Sequence, residues 1–273
     1  MRHCRLGFHT AQKQPHSRPL SRRTLLCTAA AAGVPWVIPA GALGRSGGLA
    51  PSERITLAII GVGAMGQGHL RLFAHHPGCQ VVAACDVDRW RRERGQAVAE
   101  EAYAQNRPSG TYRGVASVRD LREVIARPDI DAVVIATGDR WHAPATIMAA
   151  RAGKDIYCEK PCNLTIEEAR AMIDTVRRYG RVFQAGLQQR SDGAFRKACE
   201  MVQAGALGKI GFVYVGFPGT SADVSLPAEP VPEGLDWDLW LGPAPWRLYN
   251  RAFHPYGPPQ GVVPWHFCRD FGG

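Results

Sequence analysis

From residue 55 onward, short apolar runs alternate with longer segments in which apolar residues recur every three to four positions. The short runs predict strands over 55–60, 80–85, 132–136, 155–158 and 182–185. The helical spacing between them predicts helices over 66–75, 89–105, 118–126, 143–152 and 166–179. Alternation of strand and helix is the pattern of an α/β fold, a doubly wound parallel sheet covered by helices. The last of these helices is delimited at both ends: Thr165-x-x-Glu168 forms a capping box, and Gly180 ends it.

Near residue 190 the pattern changes. A helix over 193–204 ends at Gly205, and "GKIGFVYVGF" (208–217) alternates like a strand with one buried face. A segment rich in Pro, Gly and Trp follows over 218–264, with the composition of an ordered, site-building loop. The predicted organisation is a Rossmann domain over 53–188 and an incomplete α+β second domain over 189–273.

Composition changes the picture at the N-terminus. The 273-residue chain is 45% hydrophobic and 21% charged, ordinary for a globular protein, yet its formal net charge is +9. Six of the 33 basic residues, and no acidic one, lie within 1–42, so the remainder carries 27 basic against 24 acidic side chains. A basic leader on a near-neutral body excludes the clustered footprint of a nucleic-acid-binding domain. Within the leader, a positive segment precedes an apolar stretch from Thr24 to Pro39 and the small residues Ala40-Gly41-Ala42. These are the parts of a signal peptide, here over 1–42 with a linker over 43–52; Gly33, Pro35 and Pro39 argue against a retained membrane anchor. "SRRTLL" (21–26) resembles a twin-arginine signal, which implies the twin-arginine export machinery as a partner and a periplasmic or other extracytoplasmic destination. That route carries folded proteins, and so suits one that collects its cofactor in the cytoplasm.

Without the leader, six of the eight cysteines remain: Cys79, Cys85, Cys158, Cys162, Cys199 and Cys268. None forms a CxxC pair, so no metal site is expected. Burial as small apolar residues is expected for most of them.

The most specific local signal is "GVGAMG": Gly61, Gly63 and Gly66 in G-x-G-x-x-G spacing with Ala64 and Met65 between, after a strand and before a helix. Gly61 permits the tight turn, Gly63 lets a pyrophosphate approach the backbone, and Gly66 allows close helix packing. Asp86, at the end of the next strand, is placed to accept bonds from ribose hydroxyls and to repel a 2′-phosphate. NAD is therefore favoured, with NADP open because Arg89 is near enough to hold a phosphate.

A second cluster spans Ala136 to Pro161, "ATGDRWHAPATIMAARAGKDIYCEKP", with Thr137 at one strand end and Glu159-Lys160-Pro161 at the next. Ligands bind beyond the carboxyl ends of such strands. With "QAGLQQRS" (184–191), these motifs resemble the Gfo/Idh/MocA oxidoreductases, the family of glucose-fructose oxidoreductase and inositol dehydrogenase. The resemblance covers nearly everything after Ile55. It implies that Lys160 is the active-site lysine between nicotinamide and substrate hydroxyl, that Pro161 follows a cis bond, and that Glu159 lies by the nicotinamide ribose. His142, beside Trp141, either sits near the nicotinamide or caps the following helix. Gln188 and Arg190 either touch cofactor or substrate or, for Arg190, form a structural salt bridge. A carbohydrate-like small-molecule substrate and a homo-oligomeric full-length protein are implied as well.

The family's proton-transfer Asp and His lie on a helix of the second domain beyond the "WHFCRDFGG" approach at which this chain stops. The expectation is a fragment or truncated reading of a longer protein, with Trp265 and His266 as substrate contacts at most and Asp270 no replacement for the missing base. Three functions remain in view: oxidation of a secondary hydroxyl of a sugar or cyclitol, an NAD-dependent glycosidase that oxidises its sugar transiently, and a non-catalytic dinucleotide- or sugar-binding protein.

Overall fold

The computed structural model describes residues 49–104, 114–216, 221–258 and 264–272. The leader and residues 43–48 of the linker lie outside these. A six-stranded, all-parallel sheet has the order β3-β2-β1-β4-β5-β6, formed by β1 (Ile55–Ile60), β2 (Cys79–Cys85), β3 (Ala116–Val118), β4 (Ala132–Ile135), β5 (Asp155–Glu159) and β6 (Phe183–Gly186). Helices α1 (Ala64–His75), α2 (Arg89–Ala102), α3 (Leu121–Ala126), α4 (His142–Arg151) and α5 (Ile166–Arg178) connect the strands.

Both faces of the sheet are covered, which explains why the strands read as continuous apolar runs. Ala58, Ile60, Ala83, Val133 and Ile135 point to one face and pack with Leu121, Val124, Ala145 and Ala149 of α3 and α4. The alternate residues Ile59, Val81, Ala84 and Val134 pack on the other face with Leu70, Ala74 and Ala99 of α1 and α2. The Thr165–Glu168 capping box is present at the start of α5.

Two expectations change. The first residue of the predicted helix over 118–126, Val118, belongs to β3, a three-residue edge strand, and α3 begins only after the Asp120 cap. The predicted strand over 208–217 is not formed in its described part: no described strand pairs with it, and Phe212, Val213 and Tyr214 are exposed by 87%, 77% and 85%. An alternating segment becomes a strand only when a neighbour takes its backbone hydrogen bonds. Residue 217 lies outside the described residues. Among the described residues no strand follows β6, so the expected α+β second domain shows here α6 (Gly193–Gln203), α7 (Trp237–Leu241), a 3₁₀ turn over Pro264–Phe267 and irregular backbone.

The Pro-, Gly- and Trp-rich segment is nonetheless ordered around an aromatic cluster. Trp237 stacks on Trp240 at 4.4 Å, and Phe271 meets Trp240 and Phe253 edge-on at 5.1 and 5.3 Å. The cluster docks on the sheet domain through His254. Its Nδ1 accepts the Trp240 indole N–H at 2.9 Å, so Nε2 carries the proton and donates to Asp88 Oδ2 at 3.1 Å. Asp88 is also the cap of α2 and accepts the Gly257 N–H.

All six described cysteines are free thiols. Only Cys85, Cys158 and Cys268 are buried; Cys79 and Cys162 are half-buried and Cys199 is exposed, so burial accounts for half of them rather than most.

Candidate active site

β1 and β4 are neighbours in the sheet, although their connections wind in opposite directions, and a crevice opens beyond their carboxyl ends. The glycine loop leaves β1 there. Gly61 has φ 87° and lies so close to the end of β4 that a Cβ would sit 2.5 Å from the Ala136 carbonyl oxygen. At Gly66 a Cβ would stand 1.8 Å from the Gly61 carbonyl, so both positions exclude any side chain on steric grounds alone. Gly63 differs: its Cβ would meet only Arg91 Nη1, at 3.7 Å. The space above Gly63 is thus left open by the protein, and α1 starts there with no side chain capping its first N–H groups. Uncapped helix N–H groups over an open glycine fit a pyrophosphate.

A cavity of about 320 Å³ runs from this loop. Its lining brings together Gly61, Gly63, Ala64 and Met65 with Asp86, Thr137, His142, Glu159, Lys160, Pro161, Trp265 and His266, residues drawn from five parts of the sequence. Gly66 packs beneath the loop rather than on the cavity, in keeping with its packing role. The Lys160–Pro161 bond is cis.

Asp86 is fixed by the backbone: Oδ2 accepts the Val62 N–H at 2.7 Å and Oδ1 the Asp88 N–H at 2.9 Å. Arg89 does not reach it. It lies outside the cavity, 3.9 Å from Glu233, so the rescue of a 2′-phosphate expected of Arg89 finds no geometric basis. Arg91 and Arg119 line the cavity instead, and Arg91 is held by the carbonyls of Gly257 and Pro255 at 3.0 Å each.

His142, 1% exposed, has Nδ1 2.6 Å from the Pro161 carbonyl and Nε2 3.2 Å from the Thr137 carbonyl. It begins α4 but holds the two strand-end loops together rather than capping with its side chain. Glu159, 4% exposed, accepts from His69 Nε2 at 2.6 Å, from Gln188 Nε2, and from the Lys160 backbone N–H at 3.3 Å. Gln188 therefore braces Glu159 from behind and does not line the cavity. Arg190 is exposed in the turn Gln188–Arg190, away from the cavity, so a substrate contact for Arg190 is not supported. Trp265 and His266 stack on one another at 3.8 Å and reach the cavity, whereas Asp270 is paired with Arg247 at 2.5 Å.

Two groups escaped the sequence reading. For His69 the available signal is its position three residues after Gly66, on the buried face of α1. Arg140 follows β4 in a polar loop, yet it is 3% exposed. Its Nε donates to the carbonyls of Trp240 and Leu241 at 3.0 Å, and its guanidinium lies 3.9 Å from the Trp240 ring. Burial pulls Arg140 down to about 9, which leaves it charged at neutral pH. Beside it, burial pushes Asp139 above the usual carboxylate range. The Cys162 thiol, two residues from Lys160, is drawn down to about 7 by its hydrogen bond with Cys158, and Cys158 is pushed up by the same contact and by burial.

The parallel sheet, the glycine loop over an open helix end and the carboxylate beyond β2 define an NAD-binding Rossmann domain. Residues 55–187 match the model of the GFO_IDH_MocA oxidoreductase family, NAD-binding Rossmann fold. The chain is 31% identical over 156 residues to inositol 2-dehydrogenase 3 of Saccharopolyspora erythraea, covering 56% of this chain and 42% of that protein. It is 37% identical over 148 residues to glycosyl hydrolase family 109 protein 1 of a Shewanella species, covering 52% and 31%. It is 33% identical over 166 residues to scyllo-inositol 2-dehydrogenase (NAD(+)) of Bacillus subtilis, covering 60% and 44%. The matches thus span less than half the length of each relative.

Proposed function

We propose that the full-length protein oxidises a secondary hydroxyl of a cyclitol or sugar, with NAD as hydride acceptor. The observation that carries this reading is the convergence of the glycine loop, Asp86 and Lys160 on one cavity. The names of two relatives, an inositol 2-dehydrogenase and a scyllo-inositol 2-dehydrogenase (NAD(+)), support the substrate class.

NAD, when bound, supplies the electrophilic nicotinamide carbon that takes the hydride. The α1 N-terminus and Gly63 hold the pyrophosphate, and Asp86 the adenosine ribose. Lys160 donates a hydrogen bond to the substrate hydroxyl oxygen and stabilises the oxyanion character that grows on it as the O–H proton leaves to water and the C–H bond breaks. Trp265 offers an apolar face to a ring substrate, with His266 beside it. The aromatic cluster, bolted down by Arg140 and His254, shields this end of the cavity from water, where electrostatic contacts are stronger.

The experiment is turnover of scyllo-inositol and myo-inositol by the full-length protein with NAD, followed by NADH absorbance. NADH formation that is lost in Lys160→Ala supports the reading; NAD binding without oxidation of any cyclitol or sugar contradicts it. The glycosyl hydrolase family 109 relative favours a second reading, in which the sugar is oxidised only transiently. It predicts release of a glycosidic leaving group with no accumulation of NADH. We further propose export by the twin-arginine route on the strength of Ser21-Arg22-Arg23, tested by whether Arg22→Lys with Arg23→Lys keeps the protein in the cytoplasm.

A further inference from the structure

We propose that His69 is a positioning residue for Lys160, acting through the Glu159 carboxylate. This rests on the reading of Lys160 as the group at the reacting end of the cavity. His69 sits on α1, the helix whose first turn faces the pyrophosphate site, and reaches across to the tip of β5. Its Nε2 lies 2.6 Å from Glu159 Oε1, and both side chains are nearly sealed from solvent, at 8% and 4% exposure. The ring is itself confined, its centroid 5.1 Å from that of Tyr157 in an edge-on contact and 6.3 Å from that of Phe73.

The chemistry of the pair assigns the proton. Glu159 Oε1 is an acceptor, so His69 donates through Nε2, and Gln188 Nε2 donates to the same oxygen. With Oε1 anchored by two donors, Oε2 is turned back onto the Lys160 backbone N–H at 3.3 Å. That bond restrains the backbone torsion from which the Lys160 side chain springs. A buried carboxylate deprived of a donor turns to find another partner, because an unpaired buried charge is costly. Removing His69 therefore releases Lys160 while leaving the glycine loop, Asp86 and the α1 N-terminus in place. His69 does not itself line the cavity, so its influence passes through Glu159, which does.

The test compares His69→Leu, which removes the donor, with His69→Gln, which keeps an N–H at similar reach. Hydrogen exchange resolved to the Lys160 amide is measured on the full-length protein, together with NADH affinity and kcat for scyllo-inositol. In His69→Leu the Lys160 amide exchanges at least tenfold faster and kcat falls at least tenfold, while the Kd for NADH stays within about threefold; His69→Gln recovers most of both losses. Unchanged exchange at Lys160 in a folded His69→Leu protein, or a His69→Gln as impaired as His69→Leu, overturns the proposal. Should His69→Leu not fold, His69→Asn, polar but too short to reach Glu159, takes its place with the same expectation. Should the wild type oxidise no cyclitol, the substrate reading fails, and the exchange arm still decides the role of His69.

Discussion

The Asp86 carboxylate accepts the backbone N–H of Val62 at 2.7 Å, so the group proposed to read the ribose is tied to the loop proposed to hold the phosphates. Cofactor identity and loop conformation are therefore coupled. Asp86→Ala removes both an acceptor for the ribose and the partner of a loop N–H. Hydrogen bonds to a charged group are worth about 1.5–3 kcal/mol. NADH affinity should fall by about tenfold or more, and the preference for NADH over NADPH should shrink. Fluorescence titration with both cofactors checks this; unchanged selectivity would remove Asp86 from the site.

Two of the loop glycines, Gly63 and Gly66, should separate by mechanism. Gly66→Ala drives a Cβ into the Gly61 carbonyl, and overpacking of this kind costs about 1–3 kcal/mol or more, so its melting temperature should drop. Gly63→Ala meets no backbone and should fold normally, yet its methyl group occupies the space left for the pyrophosphate. A Gly63→Ala protein with normal melting and normal NADH affinity would contradict the placement of the phosphates.

Acid should loosen the aromatic cluster from the sheet domain. Burial holds His254 below its ordinary 6.5, in agreement with geometry that needs Nδ1 unprotonated to accept from Trp240. Burial raises Asp88, but the bonds from His254 and Gly257 and the Arg91 charge hold it below its ordinary 3.8. Both folded values are depressed, so the unfolded state binds more protons and the stabilisation is lost as pH falls. The loss begins below 6.5 with His254 and finishes below 3.8 with Asp88. Tryptophan emission against pH follows it; an emission maximum constant from pH 7 down to pH 3 would contradict the docking role of this triad.

Arg140 fastens the same cluster from the other side. Arg140→Met keeps length and apolar contact but loses the bonds to the Trp240 and Leu241 carbonyls, a loss of about 1.5–3 kcal/mol per bond to a charged donor. The expected result is a lower melting temperature and easier quenching of tryptophan emission by acrylamide. Unchanged quenching would show the cluster held by packing alone.

Cys162 should be the reactive thiol. With its titration near 7 and its side chain half-buried, it should alkylate with iodoacetamide at pH 7 faster than the exposed Cys199, at a rate rising through pH 7. Buried Cys158 should remain unmodified in the folded protein. Peptide mapping of the alkylated protein decides the order.

The sheet and the cofactor end of the site were legible in the sequence because each rests on short-range patterns. Strands buried on both faces must be apolar throughout, and the glycine spacing encodes the crowding seen at Gly61 and Gly66. β3 was not legible: three edge residues, Ala116 to Val118, are too few to show a period. The segment over 208–217 was misread because alternation records which face is apolar, while strand formation depends on a pairing neighbour. Arg89 and Arg190 were plausible by proximity along the chain, but side-chain direction sent one to Glu233 and the other to solvent. Arg140 and His69 were hidden because their partners lie 90 to 101 positions away in sequence.

The most direct test of the central claim is a crystal structure of the full-length protein with NADH. The account predicts the pyrophosphate over Gly63 at the start of α1, the adenosine ribose on Asp86, and the nicotinamide ring against Lys160. A dinucleotide bound with its nicotinamide remote from Lys160, or bound outside this cavity, would contradict it.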